Sequence, residues 1–442
     1  MPQAVDTLLS ARWIVPVEPE NVVLEHHAIA IHDGRILAVL PREDALARYR
    51  PAFALDLDRH VVLPGLINAH THASMTLLRG LADDLPLMTW LQEHIWPVES
   101  RWVGADFVRD GALLAMAEMV RGGTTCFNDM YMFPDTVAAA ARECGIRACV
   151  GLIAFDFPTG YAQNMEEYLA KGLQLHDAMR AEPLVHTAFA PHAPYTVSEP
   201  ALARIARLAD ELQIPIHIHV HETAAEVARF QSERGCRPLE RLKQLGLLNS
   251  RLLAVHMTQL EPAEIERLAQ AGAHVAHCPE SNLKLASGFC PAARLDAAGV
   301  NVAIGTDGAA SNNDLDLFGE MRTAALLGKG VAGDATVLPA ARVLRMATLN
   351  GARALGLDGE TGSLEPGKSA DLIAVDLEQP ETEPIYHPIS QLVYATGRHQ
   401  VTDVWVAGRR LLAERRLTTL DDADLIQRAR VWRRKITAQH PV

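Results

Sequence analysis

Between about residues 63 and 365, short apolar runs alternate with segments whose apolar positions recur at helical spacing. The runs predict strands and the amphipathic segments predict helices, an alternation that is typical of a parallel β/α architecture. The predicted strands are the run that ends at His72 and seven later segments: 124–128, 147–152, 185–190, 214–221, 252–256, 273–277 and 302–305. Eight such strands predict a (β/α)8 barrel, an α/β fold whose chemistry lies at the C-terminal ends of its strands.

Both ends of the chain have a different, β-rich texture. At the N-terminal end, the turn Asp33-Gly34 lies between two apolar strand-like segments, which indicates a hairpin. Further strand-like segments follow the turn cluster 362–368, at 370–376 and 401–406. We therefore expect residues 1–62 and 366–442 to form one small β-sandwich domain with a terminal helix, interrupted by a barrel domain over residues 63–365.

Composition narrows the possible functions. The formal net charge of −13 over 442 residues, without a basic run, argues against nucleic-acid binding through phosphates. No signal peptide or membrane-length apolar stretch is recognisable. The six cysteines are scattered, with no Cys-x-x-Cys, which favours reduced thiols. We expect a cytoplasmic protein that contacts neither nucleic acid nor membrane.

The first barrel strand ends in a pair of histidines, His70 and His72. On an extended strand this spacing places both imidazoles on one face. Two converging imidazole nitrogens can bind a divalent metal, although an isolated His-x-His is more often a surface or hydrogen-bonded pair. Further metal-ligating residues at later strand ends favour the metal interpretation.

The fifth predicted strand alternates apolar residues with His217, His219 and His221, and Glu222 follows. We expect the three histidines to face the barrel interior, where each needs a hydrogen-bond partner or a metal. Nearness to the strand end favours His219 or His221 as a ligand and leaves His217 deeper, in a structural position. Glu222 breaks the alternation and reaches the same cavity only if the strand has ended.

Two more strand ends carry polar groups. His256 ends the sixth strand, and Asp307 follows the eighth. Taken singly, His256 is compatible with a hydrogen-bonded core histidine, and Asp307 with a helix cap or a turn. Together with His70 and His72 they resemble a mononuclear hydrolytic zinc site, in which an open coordination position takes water.

The segment from Pro64 to His72, together with His219, His256, residues 305–307 and the C-terminal segment 362–372, resembles the amidohydrolase superfamily. The resemblance covers nearly the whole chain and implies a (β/α)8 barrel. Its branch that deaminates cytosine, adenine and guanine holds one zinc or iron ion. Dinuclear members carry a lysine at the end of the fourth strand, where this chain has Ala190 to Thr196 without lysine. We therefore expect one divalent metal, zinc in preference to iron.

Within this branch the chain is most similar to the 5-methylthioadenosine/S-adenosylhomocysteine deaminases, through segments 90–99, 191–195, 219–223 and 277–288. The resemblance implies a homo-oligomer, a dimer or a tetramer, that acts on a nucleoside. It also implies the following roles: His70, His72, His219 and Asp307 as metal ligands, Glu222 as the acid/base, His256 as a partner of the attacking water, Glu99 as the ligand of the ribose hydroxyls and His192 as a contact of the nucleoside.

The chemistry of deamination agrees with these roles. A 6-aminopurine must gain a hydroxide at C6 and a proton on the adjacent ring nitrogen, and its ammonia must leave with a further proton. Glu222 is the only acid beside the fifth-strand ligand and can move these protons, while His256 and Asp307 orient the water. An apolar lid around Trp90 and Trp96 would cover the base or the sulfur substituent.

Three alternatives stay open. The same scaffold deaminates other heterocycles, such as guanine or cytosine, and also dechlorinates s-triazines, and a catalytically silent barrel is a third alternative. A chlorohydrolase has no ribose for Glu99 to bind. The fold alone does not choose among these substrates.

Overall fold

The computed structural model describes residues 2–438 and contains two sheets of eight strands each. The strands, in chain order, are β1 (Gln3–Ile14), β2 (Leu24–His32), β3 (Arg35–Pro41), β4 (Tyr49–Pro64), β5 (Leu66–Thr71), β6 (Thr124–Asp129), β7 (Arg147–Ala154), β8 (Val185–Pro191), β9 (Ile216–Val220), β10 (Leu252–His256), β11 (His274–His277), β12 (Asn301–Ile304), β13 (Leu372–Asp376), β14 (Val401–Val406), β15 (Arg409–Ala413) and β16 (Arg416–Leu417).

Helices connect the strands and surround the sheet that is formed by β5 to β12. They are α1 (Arg42–Arg48), α2 (Leu87–Thr89), α3 (Trp96–Trp102), α4 (Ala105–Arg121), α5 (Pro134–Cys144), α6 (Met165–Met179), α7 (Glu199–Leu212), α8 (Ala224–Arg234), α9 (Pro238–Gln244), α10 (Pro262–Ala271), α11 (Pro279–Lys284), α12 (Ala292–Ala297), α13 (Leu317–Ala332), α14 (Ala340–Met346), α15 (Leu349–Ala354), α16 (Pro388–Tyr394) and α17 (Asp422–Thr437). A π-helical turn, Trp90–Ile95, joins α2 to α3, and 3-10 helices occupy Ala73–Leu78 and Arg398–Gln400.

Strands β5 to β12 form a parallel sheet in sequential order that curls into a nearly closed barrel. The helices bury one apolar face each; α7, for example, buries Ala201, Leu202, Ile205 and Ala209, at helical spacing. At the junction between the first and last strands, the Asp307 amide donates to the His70 carbonyl at 3.0 Å. A Cβ on Gly305 would lie 2.7 Å from the His70 backbone nitrogen, so only glycine permits this approach.

The other sheet has the order β16-β15-β14-β13-β4-β1-β2-β3 and is therefore built from both ends of the chain. Strand β4 pairs in parallel with β1 and antiparallel with β13. The expected fold class, a (β/α)8 barrel with a smaller β unit from both chain ends, is confirmed; the smaller unit is a single mixed sheet. The domain limits at 62/63 and 365/366 stay a prediction.

Two further findings concern the described residues. Within residues 2–438, no helix combines the length and the apolar character that crossing a membrane requires. All six cysteines are free thiols, and five of them are buried. The scattered cysteines therefore form no disulfide framework.

A buried ion pair links the barrel to the mixed sheet. Arg147, the first residue of β7, donates through Nε to Asp371 Oδ2 at 2.8 Å and through Nη1 to the Pro183 carbonyl at 3.1 Å. Asp371 Oδ1 also accepts from Ser369 Oγ and from the Ala407 amide, both at 2.7 Å. Because both charged groups are buried, removing one of them leaves the other without its countercharge.

We expect Arg147→Ala to lower the free energy of unfolding by about 3–5 kcal/mol, because Asp371 would stay buried as an uncompensated charge. The matched control is Arg180→Ala, which removes an exposed pair with Asp177 and should change stability by less than about 0.5 kcal/mol. Urea unfolding followed by circular dichroism measures both. Equal stability of the two variants would contradict the role given to the buried pair.

Candidate active site

Four side chains from three strand ends converge inside the barrel. His70 lies in β5, His72 directly follows it, His219 lies in β9, and Asp307 lies just beyond β12. One ligand atom from each of the four lies within 4.8 Å of all the others. His70 Nε2 and His72 Nε2 are each 3.2 Å from Asp307 Oδ1, and His219 Nε2 is 3.3 Å from His70 Nε2.

The outer nitrogens of the three histidines fix how the rings face the centre. His72 Nδ1 donates to the Met130 carbonyl at 2.5 Å, and His219 Nδ1 donates to the His192 carbonyl at 2.7 Å. A carbonyl only accepts, so the neutral imidazoles of His72 and His219 present their Nε2 lone pairs inward. His70 Nδ1 pairs with His217 Nε2 at 2.8 Å. Inward lone pairs beside a carboxylate repel one another unless a cation lies between them, so this donor set fits a divalent metal.

Asp307 is held ionised and aimed by its surroundings. Its φ of +63° turns the backbone after β12, so that Oδ1 points toward the histidines. Oδ2 accepts from Ser281 Oγ at 2.7 Å and from Ser311 Oγ at 2.8 Å. Although burial raises the pKa of Asp307, the adjacent imidazoles of His70 and His72 hold it well below its ordinary value. The carboxylate is therefore available to a metal.

Where β9 ends, the adjacent residues His221 and Glu222 point in different directions. The strand stops at Val220, and His221, with a φ of +55°, turns out of the site. Its Nε2 accepts from the Leu239 amide at 3.2 Å. The expectation that His221 faces the interior with His217 and His219 is therefore wrong, because the strand ends one residue too early. The same ending lets Glu222 line the cavity, and Glu226 in α8 accepts from the Glu222 amide at 2.8 Å.

His256 and Glu222 are adjacent. His256 Nδ1 donates to Asn282 Oδ1 at 2.9 Å, so the tautomer that results leaves His256 Nε2 free, 3.8 Å from Glu222 Oε1. Burial raises the pKa of Glu222, and the nearby His256 lowers it only in part. A buried carboxyl group whose pKa is raised is suited to general acid/base work.

A cavity of about 600 Å³ opens above these residues. Its wall is mostly apolar and comes from the segment 87–103 and from the loops that follow β6, β7 and β8. His72, His219, Glu222 and Asp307 form its floor. Such a cavity, with a few convergent polar groups, is the usual form of a small-molecule site.

The other residues expected in the site, Glu99, His192 and Trp90, also line this cavity. Glu99 Oε1 accepts from the Tyr131 hydroxyl at 2.6 Å. Burial raises the pKa of Glu99, and the Tyr131 bond lowers it in part. Trp90 donates its indole N–H to the Ala82 carbonyl at 3.1 Å, so its ring is left for apolar contact.

Sequence reasoning missed the residues that hold these groups in place. Tyr131 positions Glu99, Ser281 and Ser311 hold Asp307, and Asn282 orients His256. Ser281 and Asn282 belong to the segment 277–288 that carried the family resemblance, so a signal was present for those two. For Tyr131 the only signal was its position two residues beyond the end of β6.

The Amidohydrolase family model matches residues 61–411, which is most of the chain. The chain therefore belongs to the amidohydrolase family, as its resemblance predicted. Among curated proteins it is 51% identical to a 5-methylthioadenosine/S-adenosylhomocysteine deaminase of Teredinibacter turnerae, over 98% of both chains. It is 52% identical to a protein of the same name from Saccharophagus degradans, over 98% of this chain and 97% of that one.

The structure is also similar to solved structures. The structure matches an adenosine deaminase of Xanthomonas campestris with bound zinc at a TM-score of 0.98 and 57% identity, covering 99% of this chain and 100% of that one. It also matches an atrazine chlorohydrolase of Arthrobacter aurescens, complexed with zinc, at a TM-score of 0.89, over 96% and 99% of the two chains. The second likeness, at 23% identity, shows a shared fold only.

We expect Asp307→Ala to lose the metal, because the variant lacks the carboxylate toward which His70 and His72 point. Metal analysis after dialysis should find about one ion per chain in the unchanged protein and less than a third of that in the variant, since loss of a ligand weakens the site. The control is Asp177→Ala, at an exposed position. Full metal content in Asp307→Ala would show that this carboxylate is not a ligand.

Proposed function

We propose that this chain is a zinc-dependent hydrolytic deaminase of adenine nucleosides that carry a sulfur-linked 5′ group, and that it releases ammonia and the corresponding inosine form. The observation that supports this most is one cavity that holds a metal-type donor set, a buried Glu222 and a second carboxylate, Glu99. The names of the similar curated proteins and the zinc in the similar adenosine deaminase support the same activity.

In this proposal different residues of the cavity bind different parts of the nucleoside. Glu99 accepts hydrogen bonds from the two ribose hydroxyls. The Tyr131 hydroxyl, which donates to Glu99 Oε1 at 2.6 Å, holds this carboxylate in place. His192 contacts the nucleoside near the floor, where its Nδ1 pairs with Thr196 Oγ1 at 3.0 Å. The ring of Trp90 provides apolar contact.

His70, His72, His219 and Asp307 would hold one zinc ion through the atoms that converge at the floor. A bound zinc ion supplies a nucleophile at neutral pH, because it lowers the pKa of a bound water to about 7. Asp307 Oδ2 is occupied by two serine hydroxyls, so only Oδ1 faces the histidines.

Glu222 would move the protons. It takes one from the attacking water and passes it to the purine nitrogen beside C6, which makes C6 more electrophilic. A second proton from the water goes to the amino group, which then leaves as ammonia. His256, fixed by Asn282, accepts a hydrogen bond from the water through Nε2 and orients it toward C6.

We expect Glu222→Gln to retain about one metal ion per chain and to lower turnover by at least about 100-fold, because the amide cannot exchange a proton. Metal analysis and the loss of absorbance near 265 nm measure the two properties. Glu93→Gln, at an exposed position in the π-helical turn Trp90–Ile95, is the control for the same chemical change. Undiminished turnover in Glu222→Gln would refute its role.

We expect Glu99→Gln to lower kcat/KM for nucleosides by about 10- to 100-fold, because a hydrogen bond to a charged group contributes about 1.5–3 kcal/mol. Activity on free adenine, which has no ribose, should stay the same within about twofold. The comparison needs both substrates with the same enzyme preparation. An equal loss on both would show that Glu99 has no specific role toward ribose and would favour another heterocycle as substrate.

The homo-oligomeric state, a dimer or a tetramer, and the cytoplasmic location expected from the sequence remain part of this proposal. The sequence expectation that nucleic acid is not a partner likewise remains part of it.

A further inference from the structure

Two separate segments hold the functional groups of Asp307 and His256. Helix α11 supplies Ser281, which donates to Asp307 Oδ2 at 2.7 Å. It also supplies Asn282, which accepts from His256 Nδ1 at 2.9 Å. The loop after β12 supplies Ser311, which donates to the same oxygen of Asp307 at 2.8 Å. Because both segments act on one carboxylate, their relative position determines where Asp307 and His256 point.

A single buried carboxyl group joins these two segments. Glu320 belongs to α13 and is fully buried. Its Oε1 accepts from Asn312 Nδ2, in the loop, at 2.5 Å. Its Oε2 accepts from the backbone amide of Glu280, in α11, at 3.3 Å. Glu320 is not one of the described residues that line the cavity, so it acts on the site only through its neighbours.

Asn312 closes the turn that aims Asp307. Its Nδ2 also donates to the Thr306 carbonyl at 2.8 Å, and its backbone amide donates to the Gly308 carbonyl at 3.0 Å. Asp307, with a φ of +63°, therefore lies between two residues whose carbonyl groups are bound by Asn312. Since the Asn312 side chain is itself bound to Glu320, the shape of this turn depends on Glu320.

The other hydrogen bond of Glu320 holds the first turn of α11. The amide of Glu280 lies in that turn, where N–H groups have no acceptor within the helix, and Glu320 accepts from it. The side chain of Glu280 is bound to α13 as well, since its Oε1 accepts from Thr323 Oγ1 at 2.8 Å. Ser281 and Asn282 directly follow Glu280, so α13 fixes the part of α11 that contacts the site.

This position is costly for a carboxyl group. Burial, and then the nearby carboxyl groups of Glu280 and Asp314, raise the pKa of Glu320 well above its ordinary value, and its hydrogen bonds lower it only in part. An apolar residue would pack at a buried position of α13 without this cost. Packing alone therefore does not account for the carboxyl group, whereas its two hydrogen bonds to different segments do.

We propose that Glu320 is a positioning residue of the active site: its carboxyl group holds the Asp307 turn and helix α11 in one fixed arrangement, and so places Asp307 and His256 together at the cavity floor. The inference rests on the proposed metal site and deaminase activity, to which it adds a residue that lies outside the cavity.

Two variants test the role in the metal site. Glu320→Leu is similar in size and removes both acceptor oxygens, and Asn312→Ala removes only the link to the loop. In full-length protein loaded with cobalt(II) in place of zinc, both variants should change the visible absorption, which reports the geometry of the metal ligands. In competition with a chelator, both should bind zinc about 10- to 100-fold more weakly, because residues that orient metal ligands have effects of that size.

Steady-state kinetics with 5′-methylthioadenosine separate positioning from substrate binding. In both variants kcat should fall by about tenfold or more, because Asp307 and His256 orient the attacking water. KM should stay within about threefold, because Glu99 and His192 lie on other segments. The double variant should lose no more than Glu320→Leu alone, within about twofold, since both changes break the same connection.

Phe318→Leu is the matched control. Phe318 is a buried residue of α13, two positions before Glu320, and this variant loses packing but keeps both hydrogen bonds of Glu320. Its free energy of unfolding should fall, whereas its cobalt spectrum, zinc affinity and kcat should equal those of the unchanged protein.

An unchanged cobalt spectrum and zinc affinity in Glu320→Leu would overturn the inference. The same changes in Phe318→Leu would also overturn it, because they would show a general effect of destabilising α13. If Glu320→Leu does not fold, Asn312→Ala decides by the same measurements. The metal measurements need no substrate, so failure of the unchanged protein to deaminate any adenosine would refute the proposed function while the cobalt spectra still decide the role of Glu320.

Discussion

The site depends on one electrostatic constraint: nitrogen lone pairs and a carboxylate oxygen are brought together in a buried place. Backbone carbonyls accept from the outer nitrogens of His72 and His219, which directs their inner nitrogens to the centre. Asp307 reaches the same centre only because the last strand closes against the first, where Gly305 permits close backbone contact. The metal-type donor set is therefore complete only when the barrel closes.

A second layer of polar residues makes this arrangement rigid. Asn282 and Ser281 follow β11 and fix His256 and Asp307, respectively. The positive φ angles of His256 and Asp307, at +73° and +63°, show that the backbone turns sharply where the strands end. Such strained positions persist only where surrounding contacts determine them, and here they aim two functional side chains at one cavity.

The substrate-facing wall follows a different principle from the floor. The floor is polar and assembled from strand ends, whereas the wall is apolar and comes from the segment 87–103 and the loops after β6, β7 and β8. The atrazine chlorohydrolase has the same fold but a different activity in its name, because a barrel fold by itself does not determine the substrate. In this chain, Glu99 and its partner Tyr131 form a polar pair in that wall.

The sequence by itself determined the eight barrel strands, because each is a compact apolar run with its own flanking helix, and it determined the histidine pair at 70 and 72, because that spacing is local. It also indicated His219, Glu222, His256 and Asp307 through their places after such runs. Only the tertiary structure decided that His221 leaves the site while Glu222 enters it, since the outcome depends on where β9 ends. It alone also paired Tyr131 with Glu99 and Arg147 with Asp371, because those contacts join residues that are distant in the chain and carry no common local pattern.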